Sequence, residues 1–368
     1  MIPLVDLKLQ YAQHRKALDE AMRQVCESAA YILGPAVEQF EKRFARYLGA
    51  DAAIGVGNGS DALCLLGRAL GIQAGDEVLL PANTFIATAA AMHQLGAVPV
   101  PVDIDPGTLL MDLSDARRRL TRHSRAIIPV HLYGRAMDMD AVLAFAREHG
   151  LVVIEDACQA HGAAWRGRRV GTFGHGAAFS FYPAKNLGCF GDGGMVVAQD
   201  AGVARAIRLL RNYGSLEKNC HEVAGGNSRL DSLQAAVLDV KLDWLDEWNR
   251  ARFRAACRYA DRLEGVGQVR APAFDRGDPT GHVFHLFVIE CERRDELMAM
   301  LAGRGIQCGI HYPVPIHLHP AFAHLGLGPG TCPVAERLAG RILSLPMFPE
   351  ITDEQIDAVT AAIEEFYA

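Results

Sequence analysis

The chain has 368 residues, of which 50% are hydrophobic and 22% are charged, and its formal net charge at pH 7 is −6. This length predicts two domains at a prior of about 150 residues per domain, and this composition is ordinary for a globular protein with a large core. The acidic balance gives no indication of nucleic acid or an anionic membrane as a partner.

The cysteines and the first residues bear on the cell compartment. The nine cysteines are odd in number, scattered, and form no Cys-x-x-Cys pair, which predicts reduced thiols rather than a disulfide framework or a zinc site. The first residues show no basic region followed by an apolar run, so no signal peptide is expected. No apolar run is long enough to span a bilayer. We therefore expect a cytoplasmic protein.

Two helical patterns open the chain and an alternating pattern follows. Apolar residues recur at helical spacing within residues 9–30, and a second helix is predicted from Pro35 to a stop at Gly49. Strand-like runs then alternate with helical ones. The strand-like runs cover residues 52–56, 77–80, 98–102, 126–130, 151–154, 177–181 and 195–198. This alternation predicts a mostly parallel sheet of seven strands that helices cover on both faces.

The pattern changes near residue 250. A long helical run is predicted near residues 230–248, and a strand, a helix and a short strand are predicted at 283–290, 295–304 and 306–310. These elements predict a smaller C-terminal α/β unit. We therefore expect a large domain over residues 1–249, including the N-terminal helix, and a small domain over residues 250–368.

One lysine stands in an unusual loop between two strand-like runs. Lys185 lies in the stretch Phe179-Ser-Phe-Tyr-Pro-Ala-Lys-Asn-Leu-Gly188, among aromatic residues and glycine. A partly dry loop lowers the pKa of a lysine by desolvation, and a lysine amine can then form a Schiff base with an aldehyde or ketone. An ordinary surface lysine in a turn is the alternative for this residue alone.

An acid ends the strand-like run at residues 151–154. Asp156 is therefore expected outside the carboxyl end of a strand, where open α/β sheets bind their ligands. Pyridoxal phosphate needs a lysine for its aldehyde and usually an acid that keeps its ring nitrogen protonated. Lys185 and Asp156 together therefore predict a pyridoxal phosphate site. A helix-capping role for Asp156 is the alternative.

A glycine-rich segment, Gly55-Val-Gly-Asn-Gly59-Ser60-Asp61, follows the first strand. Glycines allow a ligand to approach the backbone, and a helix N-terminus offers free N–H groups to an anion. We predict a phosphate site at Gly59 and Ser60, to which Ser180 could add a hydroxyl. The segment fits neither the dinucleotide nor the Walker pattern. A tight turn with Ser60 as the N-cap is the alternative.

Three side chains near these stretches could contact a flat cofactor ring or its acid. Phe85 follows a strand and could stack on the ring, with core packing as the alternative. Gln159 could hydrogen-bond the ring hydroxyl. His161 could bond Asp156 and hold its charge, or serve as a structural histidine.

Later stretches are unusually polar. The segment 221–231, which contains Asn227 and Arg229, could reach a neighbouring subunit or merely begin a helix. The run His311-Tyr-Pro-Val-Pro-Ile-His317 invites a metal interpretation, but no acid or cysteine completes a ligand set. We prefer to interpret this run as a source of hydrogen-bond donors for a substrate diphosphate.

Together these motifs resemble the DegT-type sugar aminotransferases, which are fold-type-I pyridoxal phosphate enzymes of deoxysugar pathways. The resemblance runs over nearly the full length. Its most specific segments are Gly57-Asn-Gly-Ser-Asp-Ala-Leu63, Glu155-Asp-Ala-Cys-Gln-Ala-His-Gly162, Ser180-Phe-Tyr-Pro-Ala-Lys-Asn186, Gly191-Asp-Gly-Gly194 and Gly226-Asn-Ser-Arg229. It implies an α/β, aspartate-aminotransferase-like fold with a large, mostly parallel seven-stranded sheet domain and a smaller C-terminal α/β domain.

The resemblance also implies roles for single residues. Lys185 would form the Schiff base with pyridoxal 5'-phosphate, Asp156 would hold the ring nitrogen, and Gln159 would lie near the ring hydroxyl. The phosphate site would comprise Gly59, Ser60 and Ser180, together with Asn227 from a partner subunit, which implies a homodimer with shared active sites. The expected substrate-binding residues are Tyr182, Tyr213, Arg229, His311, Tyr312 and His317.

The implied activity is transfer of an amino group from L-glutamate to a nucleotide-linked keto-deoxysugar. Within the family, the chain most resembles the enzymes that aminate C3 of dTDP-3-keto-6-deoxyhexoses. It differs from them at Ala184, where those relatives often have glycine. Some family members carry histidine at the lysine position and dehydrate sugars, so Lys185 favours transamination. A GDP- or UDP-linked 4-keto sugar aminotransferase, a sugar dehydratase and a cofactor-binding regulatory protein stay open.

Overall fold

The computed structural model describes residues 1–368 and contains four β-sheets. In chain order the strands are β1 (Ala52–Val56), β2 (Glu77–Pro81), β3 (Val98–Val102), β4 (Ser124–Ile127), β5 (Val152–Asp156), β6 (Ala164–Trp165), β7 (Arg168–Arg169), β8 (Gly176–Ser180), β9 (Gly194–Ala198), β10 (Ser215–Glu217), β11 (Cys220–His221), β12 (Val269–Arg270), β13 (Phe287–Cys291) and β14 (Ile342–Leu345).

The α-helices are α1 (Leu7–Ser28), α2 (Pro35–Leu48), α3 (Gly59–Ala69), α4 (Ile86–Gln94), α5 (Leu113–Arg118), α6 (Met139–His149), α7 (Ala201–Leu210), α8 (Ser232–Leu242), α9 (Leu245–Leu263), α10 (Arg294–Gly303), α11 (Pro333–Ala339) and α12 (Asp353–Tyr367). Short 3₁₀ helices cover Leu132–Gly134, Ile316–Leu318 and Pro320–Leu325. None of the helices combines the length and the apolar content that a membrane span requires.

The seven predicted strands of the large sheet are confirmed. Their order is β1-β9-β8-β5-β4-β2-β3. The pairs of β9 with β1 and with β8 are antiparallel, and every other pair is parallel. Because the carboxyl ends of β5 and β8 are neighbours, the residues that follow these two strands share one edge of the sheet.

Helices cover both faces of this sheet, as predicted. Along β9, Met195 and Val197 belong to a core cluster that includes residues of α2 and α8. The alternate residues, Val196 and Ala198, belong to a second and larger cluster that includes residues of α3. Successive side chains of a strand point to opposite faces, so one run of apolar residues joins two cores. The predicted second helix is also confirmed, with Pro35 in its first turn and Gly49 in the left-handed conformation at its end (φ 75°).

A three-stranded antiparallel sheet, β12-β13-β14, forms the core of the C-terminal part together with α9, α10 and α12. Two sequence predictions are wrong here. The helical run predicted near residues 230–248 is two helices, α8 and α9, and the strand predicted at 306–310 makes only single bridges, from Ile306 to Ile2 and from Gly309 to Ser344. The predicted division after residue 249 falls inside α9, so a continuous helix crosses it.

Candidate active site

Lys185 lies in the loop between β8 and β9, at the edge where β5 also ends. The loop folds tightly, because the backbone N–H of Lys185 donates to the carbonyl of Tyr182 at 2.9 Å. Its neighbour Asn186 is buried and donates through Nδ2 to Oδ1 of Asn249 (2.8 Å) and to the carbonyl of Val283 (2.9 Å). The loop is therefore anchored to α9 and to the segment that leads into β13.

The lysine amine is set in a partly dry environment. Burial lowers the pKa of Lys185, while the nearby Cys158 and Asp156 oppose this effect. The hydrogen-bond partner of Nζ is Nε2 of His285, at 3.4 Å. These surroundings differ from those of an ordinary surface lysine in a turn, and a lowered pKa makes the amine available as a nucleophile and base closer to neutral pH.

Asp156 is the last residue of β5 and is only 5% exposed. Its Oδ2 accepts a hydrogen bond from Oγ1 of Thr88 at 2.8 Å, and its Oδ1 accepts one from the backbone N–H of Cys158 at 3.2 Å. The hydroxyl of Thr84 lies 2.9 Å from that of Thr88 and extends this chain. The helix-capping alternative for Asp156 is wrong, because turns follow β5 and no helix begins between β5 and β6.

The predicted bond between His161 and Asp156 does not form. His161 is fully buried against the rings of Phe179 and Phe181, and neither of its ring nitrogens has a hydrogen-bond partner. Burial lowers the pKa of His161 to about 3, so the ring is neutral. The two Asp156 partners described above come instead from α4 and from the backbone that follows β5.

Gln159, Phe85 and Tyr312 come together beside Asp156. Oε1 of Gln159 accepts from the backbone N–H of Tyr133 at 2.7 Å, which orients its amide, and Nε2 donates to the Tyr312 hydroxyl at 3.2 Å. The Tyr312 ring lies 5.2 Å from the Phe85 ring. Phe85 is 48% exposed, so core packing does not describe it and its side chain is accessible to a ligand.

His311 borders the same group of residues. Its backbone carbonyl accepts the hydroxyl of Tyr133, and its Nδ1 lies 2.8 Å from Oγ of Ser344. Burial and the charge of Lys185 lower the pKa of His311 to about 4. His311 and Tyr312 thus bring the segment between α10 and β14 up to the edge of the large sheet.

The predicted phosphate site forms a close junction of backbone segments. Gly59 and Ser60 form the first turn of α3, where backbone N–H groups have no intrahelical partner. A Cβ at Gly59 would lie 2.7 Å from Cβ of Ser180, so only glycine lets α3 approach the end of β8 this closely. The N-cap is Asn58, whose Oδ1 accepts from the N–H of Asp61 at 2.8 Å, and the Ser60 alternative is therefore wrong.

Three predicted residues form a separate cluster at the surface. Arg229 donates to Oδ1 of Asn212 at 2.9 Å and lies over the ring of Tyr213, which is 49% exposed. Asn227 is exposed and pairs with Asn212 in an isolated bridge. The next residue, Ser228, accepts from the N–H of Gly57 at 3.0 Å, so this cluster adjoins the glycine-rich segment.

Tyr182 and His317 differ in their surroundings. Tyr182 is 56% exposed beside the Lys185 loop, and its N–H donates to Oγ of Ser180 at 3.3 Å. His317 is buried and its Nε2 lies 2.8 Å from Oε1 of Glu336. The Glu336 carboxylate also accepts hydrogen bonds from the N–H groups of Gly330 and Cys332, so it ties His317 to the segment that leads into α11. His317 does not join the Lys185 group, and a substrate contact from it remains a prediction.

Sequence reasoning missed Thr88 and His285. Thr88 lies in the first turn of α4, four residues after Thr84, and this helix-like spacing could have indicated that the two hydroxyls are neighbours. His285 follows Lys185 by 100 residues, and nothing in the sequence indicates that the two side chains meet.

The family model for the DegT/DnrJ/EryC1/StrS aminotransferase family matches residues 12–364. The chain belongs to this family. It is 48% identical, over 99% of both chains, to the erythromycin biosynthesis sensory transduction protein EryC1 of Saccharopolyspora erythraea. It is 47% identical to the dTDP-3-amino-3,4,6-trideoxy-alpha-D-glucose transaminase of Streptomyces venezuelae, over 99% of this chain and 96% of the relative.

A solved structure of S. venezuelae DesV, in complex with a ketimine intermediate, superposes with a TM-score of 0.96 at 47% identity, over 100% of this chain and 98% of that one. The fold is therefore that of the fold-type-I aminotransferases, and the chain is a pyridoxal phosphate-dependent aminotransferase. The residues present fit this cofactor: the first turn of α3, which Gly59 allows close to the end of β8, offers free N–H groups that suit its phosphate, and the amine of Lys185 and the buried carboxylate of Asp156 suit its aldehyde and its ring nitrogen.

Proposed function

We propose that this enzyme transfers the amino group of L-glutamate to C3 of a dTDP-linked 3-keto-6-deoxyhexose. The observation that carries the proposal is the desolvated amine of Lys185 beside the buried carboxylate of Asp156. The S. venezuelae relative is named for a dTDP-3-amino sugar, and its similarity extends over nearly both chains, which supports the choice of nucleotide and carbon.

When bound, pyridoxal phosphate carries the amino group from donor to acceptor and withdraws electrons from the substrate carbon. The chain supplies the groups around it. Lys185 provides a nucleophilic amine that, once free, takes a proton at Nζ and returns it. Asp156 presents Oδ1 and Oδ2 to hold the ring nitrogen, Thr88 aims this carboxylate, and Gln159 presents its amide to the ring hydroxyl.

Two groups of residues are suited to the sugar nucleotide. His311 and Tyr312 border the space beside Lys185 and Gln159, where the hexose would react. Tyr182, Tyr213 and Arg229 offer exposed rings and a guanidinium for the nucleotide and its diphosphate. An arginine suits phosphate oxygens because its planar fork donates two parallel hydrogen bonds.

We further propose a homodimer in which Asn227 completes the phosphate site of the partner subunit. Asn227 is exposed and forms no side-chain hydrogen bond in its own chain, although its neighbour Ser228 contacts the glycine-rich segment. A side-chain amide in this position is free to serve a second chain. Exposed apolar side chains near it, such as Tyr213 and Val223, suit burial against that chain.

The covalent assignment is tested by borohydride reduction of the purified holoenzyme and mapping of the cofactor adduct. We expect the adduct on Lys185, and we expect Lys185→Ala to lose both the adduct and the visible absorbance of the bound cofactor. Lys218→Ala, a change at an exposed lysine, is the matched control and should retain both. An adduct at another residue would refute the assignment.

The substrate is tested by mass spectrometry of products formed from glutamate and a panel of dTDP-, GDP- and UDP-linked keto sugars. Release of 2-oxoglutarate in proportion to a dTDP-3-amino sugar is the expected result. A deoxygenated product without 2-oxoglutarate would indicate a dehydratase instead. Preference for a 4-keto sugar would move the amination site but leave the aminotransferase assignment intact.

A further inference from the structure

The hydrogen-bond partner of the Lys185 amine is His285, which lies on the segment before β13. Nε2 of His285 lies 3.4 Å from Nζ of Lys185. The His285 side chain is buried, and its Nδ1 has no hydrogen-bond partner. The imidazole therefore directs its side-chain hydrogen bond to the lysine amine.

The backbone that carries His285 is held from several directions. Phe284 adopts a left-handed conformation (φ 44°), and its carbonyl accepts from Nη1 of the buried Arg252 at 3.2 Å. The N–H of Val283 donates to the carbonyl of Gly134 at 2.9 Å. A Cβ at Gly134 would lie 2.9 Å from the backbone nitrogen of His285. This close packing fixes the direction in which the imidazole enters the site.

The surroundings keep this imidazole neutral. The titratable groups that face it are Lys185, Arg252, His311 and His161, all of which are basic. Burial, together with these groups, lowers the pKa of His285 well below its ordinary value. A neutral imidazole retains one nitrogen that accepts a hydrogen bond. Cys158 and Asp156 also lie near this amine and act to raise the pKa of Lys185.

We propose that His285 is a positioning residue that holds the free amine of Lys185 at the reacting centre when the amine is not joined to the cofactor. The inference rests on the proposed role of Lys185 as the amine that moves the proton. A lysine side chain has a flexible four-carbon stem, and proton transfer requires the amine within hydrogen-bond reach of the reacting atom. Nε2 of His285 limits that freedom by accepting from Nζ.

The proposal has a measurable consequence for the lysine itself. An acceptor for an ammonium stabilises the charged form, so the pKa of Lys185 is higher with His285 than without it. Loss of a hydrogen bond to a buried charge should lower it by about one pH unit. A purely structural role for His285 would alter stability without this shift.

The test uses the full chain loaded with pyridoxamine 5'-phosphate, in which the lysine amine is free. Acetylation of Lys185 by acetic anhydride is followed against pH by mass spectrometry of its peptide. We expect the pH at which acetylation of Lys185 reaches half of its maximal rate to fall in His285→Leu, which has no acceptor. The same fall is expected in His285→Asn, because the asparagine amide is too short to reach Nζ of Lys185. His285→Gln places an oxygen near the position of Nε2 and should restore the wild-type midpoint.

His282→Gln is the matched control, because His282 is also buried but its Nδ1 bonds the backbone N–H of Phe284. Its midpoint should remain that of the wild type. An unchanged midpoint in His285→Asn, or an equal shift in His282→Gln, overturns the proposal. The acetylation experiment uses no sugar and no glutamate, so its outcome concerns the role of His285 alone. The proposed function is tested separately, by mapping the borohydride adduct and by analysing the products.

Discussion

At the scale of single residues, the site depends on charged groups whose surroundings are fixed by short hydrogen bonds. Asp156 is buried and accepts from Thr88 at 2.8 Å, and the lysine opposite it is desolvated. The hydroxyl of Thr88 therefore fixes the direction of the Asp156 carboxylate.

We expect Thr88→Val, which removes this donor with little change in volume, to lower the turnover number by about tenfold, since a hydrogen bond to a charged group is lost. The protein should remain folded. Steady-state assay with glutamate and the keto sugar measures the effect. Thr360→Val is the control, because the buried hydroxyl of Thr360 bonds only carbonyls of its own helix. Equal losses in both variants would contradict the role of Thr88.

Lys241 is a second buried lysine, which has structural contacts only. Its Nζ donates to Oε1 of Gln10 at 3.0 Å and to the carbonyl of Gly188 at 2.7 Å, and lies 4.7 Å from the centre of the Phe190 ring. Burial lowers the pKa of Lys241 from 10.5 to about 8. The folded state therefore binds fewer protons at this residue than the unfolded state between these two values.

This difference predicts a pH dependence of stability. The contribution of Lys241 to the free energy of unfolding should rise as pH increases from about 8 to 10.5, by roughly 3 kcal/mol at most. Urea unfolding of wild type and Lys241→Met across this range measures the difference, and Lys218→Met serves as an exposed control. A difference that stays constant with pH would refute the lowered pKa.

At the scale of elements, the site lies where three segments end or begin together. β5 ends at Asp156, β8 ends at Ser180, and α3 begins at Gly59 against that end of β8. The antiparallel β9 then returns along β8, so the Lys185 loop is the connection between two hydrogen-bonded strands. The N-terminus of α3 directs its free N–H groups to the same edge, where they suit a phosphate.

Gly59→Ala should disturb this junction, because its Cβ would lie 2.7 Å from Cβ of Ser180 and 3.0 Å from Sγ of Cys158. We expect the dissociation constant of pyridoxal phosphate to rise about tenfold or more, equivalent to about 1.4 kcal/mol. Cofactor titration followed by absorbance gives this constant. Gly303→Ala, where nothing lies within 4 Å of the added carbon, should leave it unchanged. Normal binding by Gly59→Ala would contradict the phosphate assignment.

At the scale of the whole molecule, the C-terminal part completes a site that begins on the large sheet. His285 enters from the segment before β13, and Tyr312 enters from the segment before β14. α9 runs without a break between the two parts and carries Asn249, which bonds Asn186 beside Lys185. Small shifts of the C-terminal part would therefore alter the surroundings of Lys185 directly.

The proposed sharing of sites between subunits can be tested with hybrid dimers of Lys185→Ala and Asn227→Ala chains. If Asn227 serves the partner, one site of each hybrid contains both an intact lysine and an intact asparagine. Cofactor retention at that site should then equal that of wild type, whereas the Asn227→Ala homodimer retains cofactor more weakly. Dialysis of purified hybrids measures retention. No recovery in the hybrid would place the effect of Asn227 within its own chain.

Hydrophobic periodicity and strand-end motifs are local, so the seven strands, the covered sheet and the places of Lys185 and Asp156 near strand ends could be predicted from the residues alone. The glycine-rich segment also predicted a phosphate site, with Ser60 as the N-cap in the alternative interpretation, whereas Asn58 caps the helix. Which side chains meet became visible only in the folded chain. His285 lies 100 positions from Lys185 along the chain, and Gln159 reaches Tyr312 across 153. Such contacts depend on how distant segments pack, and a single sequence carries no local pattern for them.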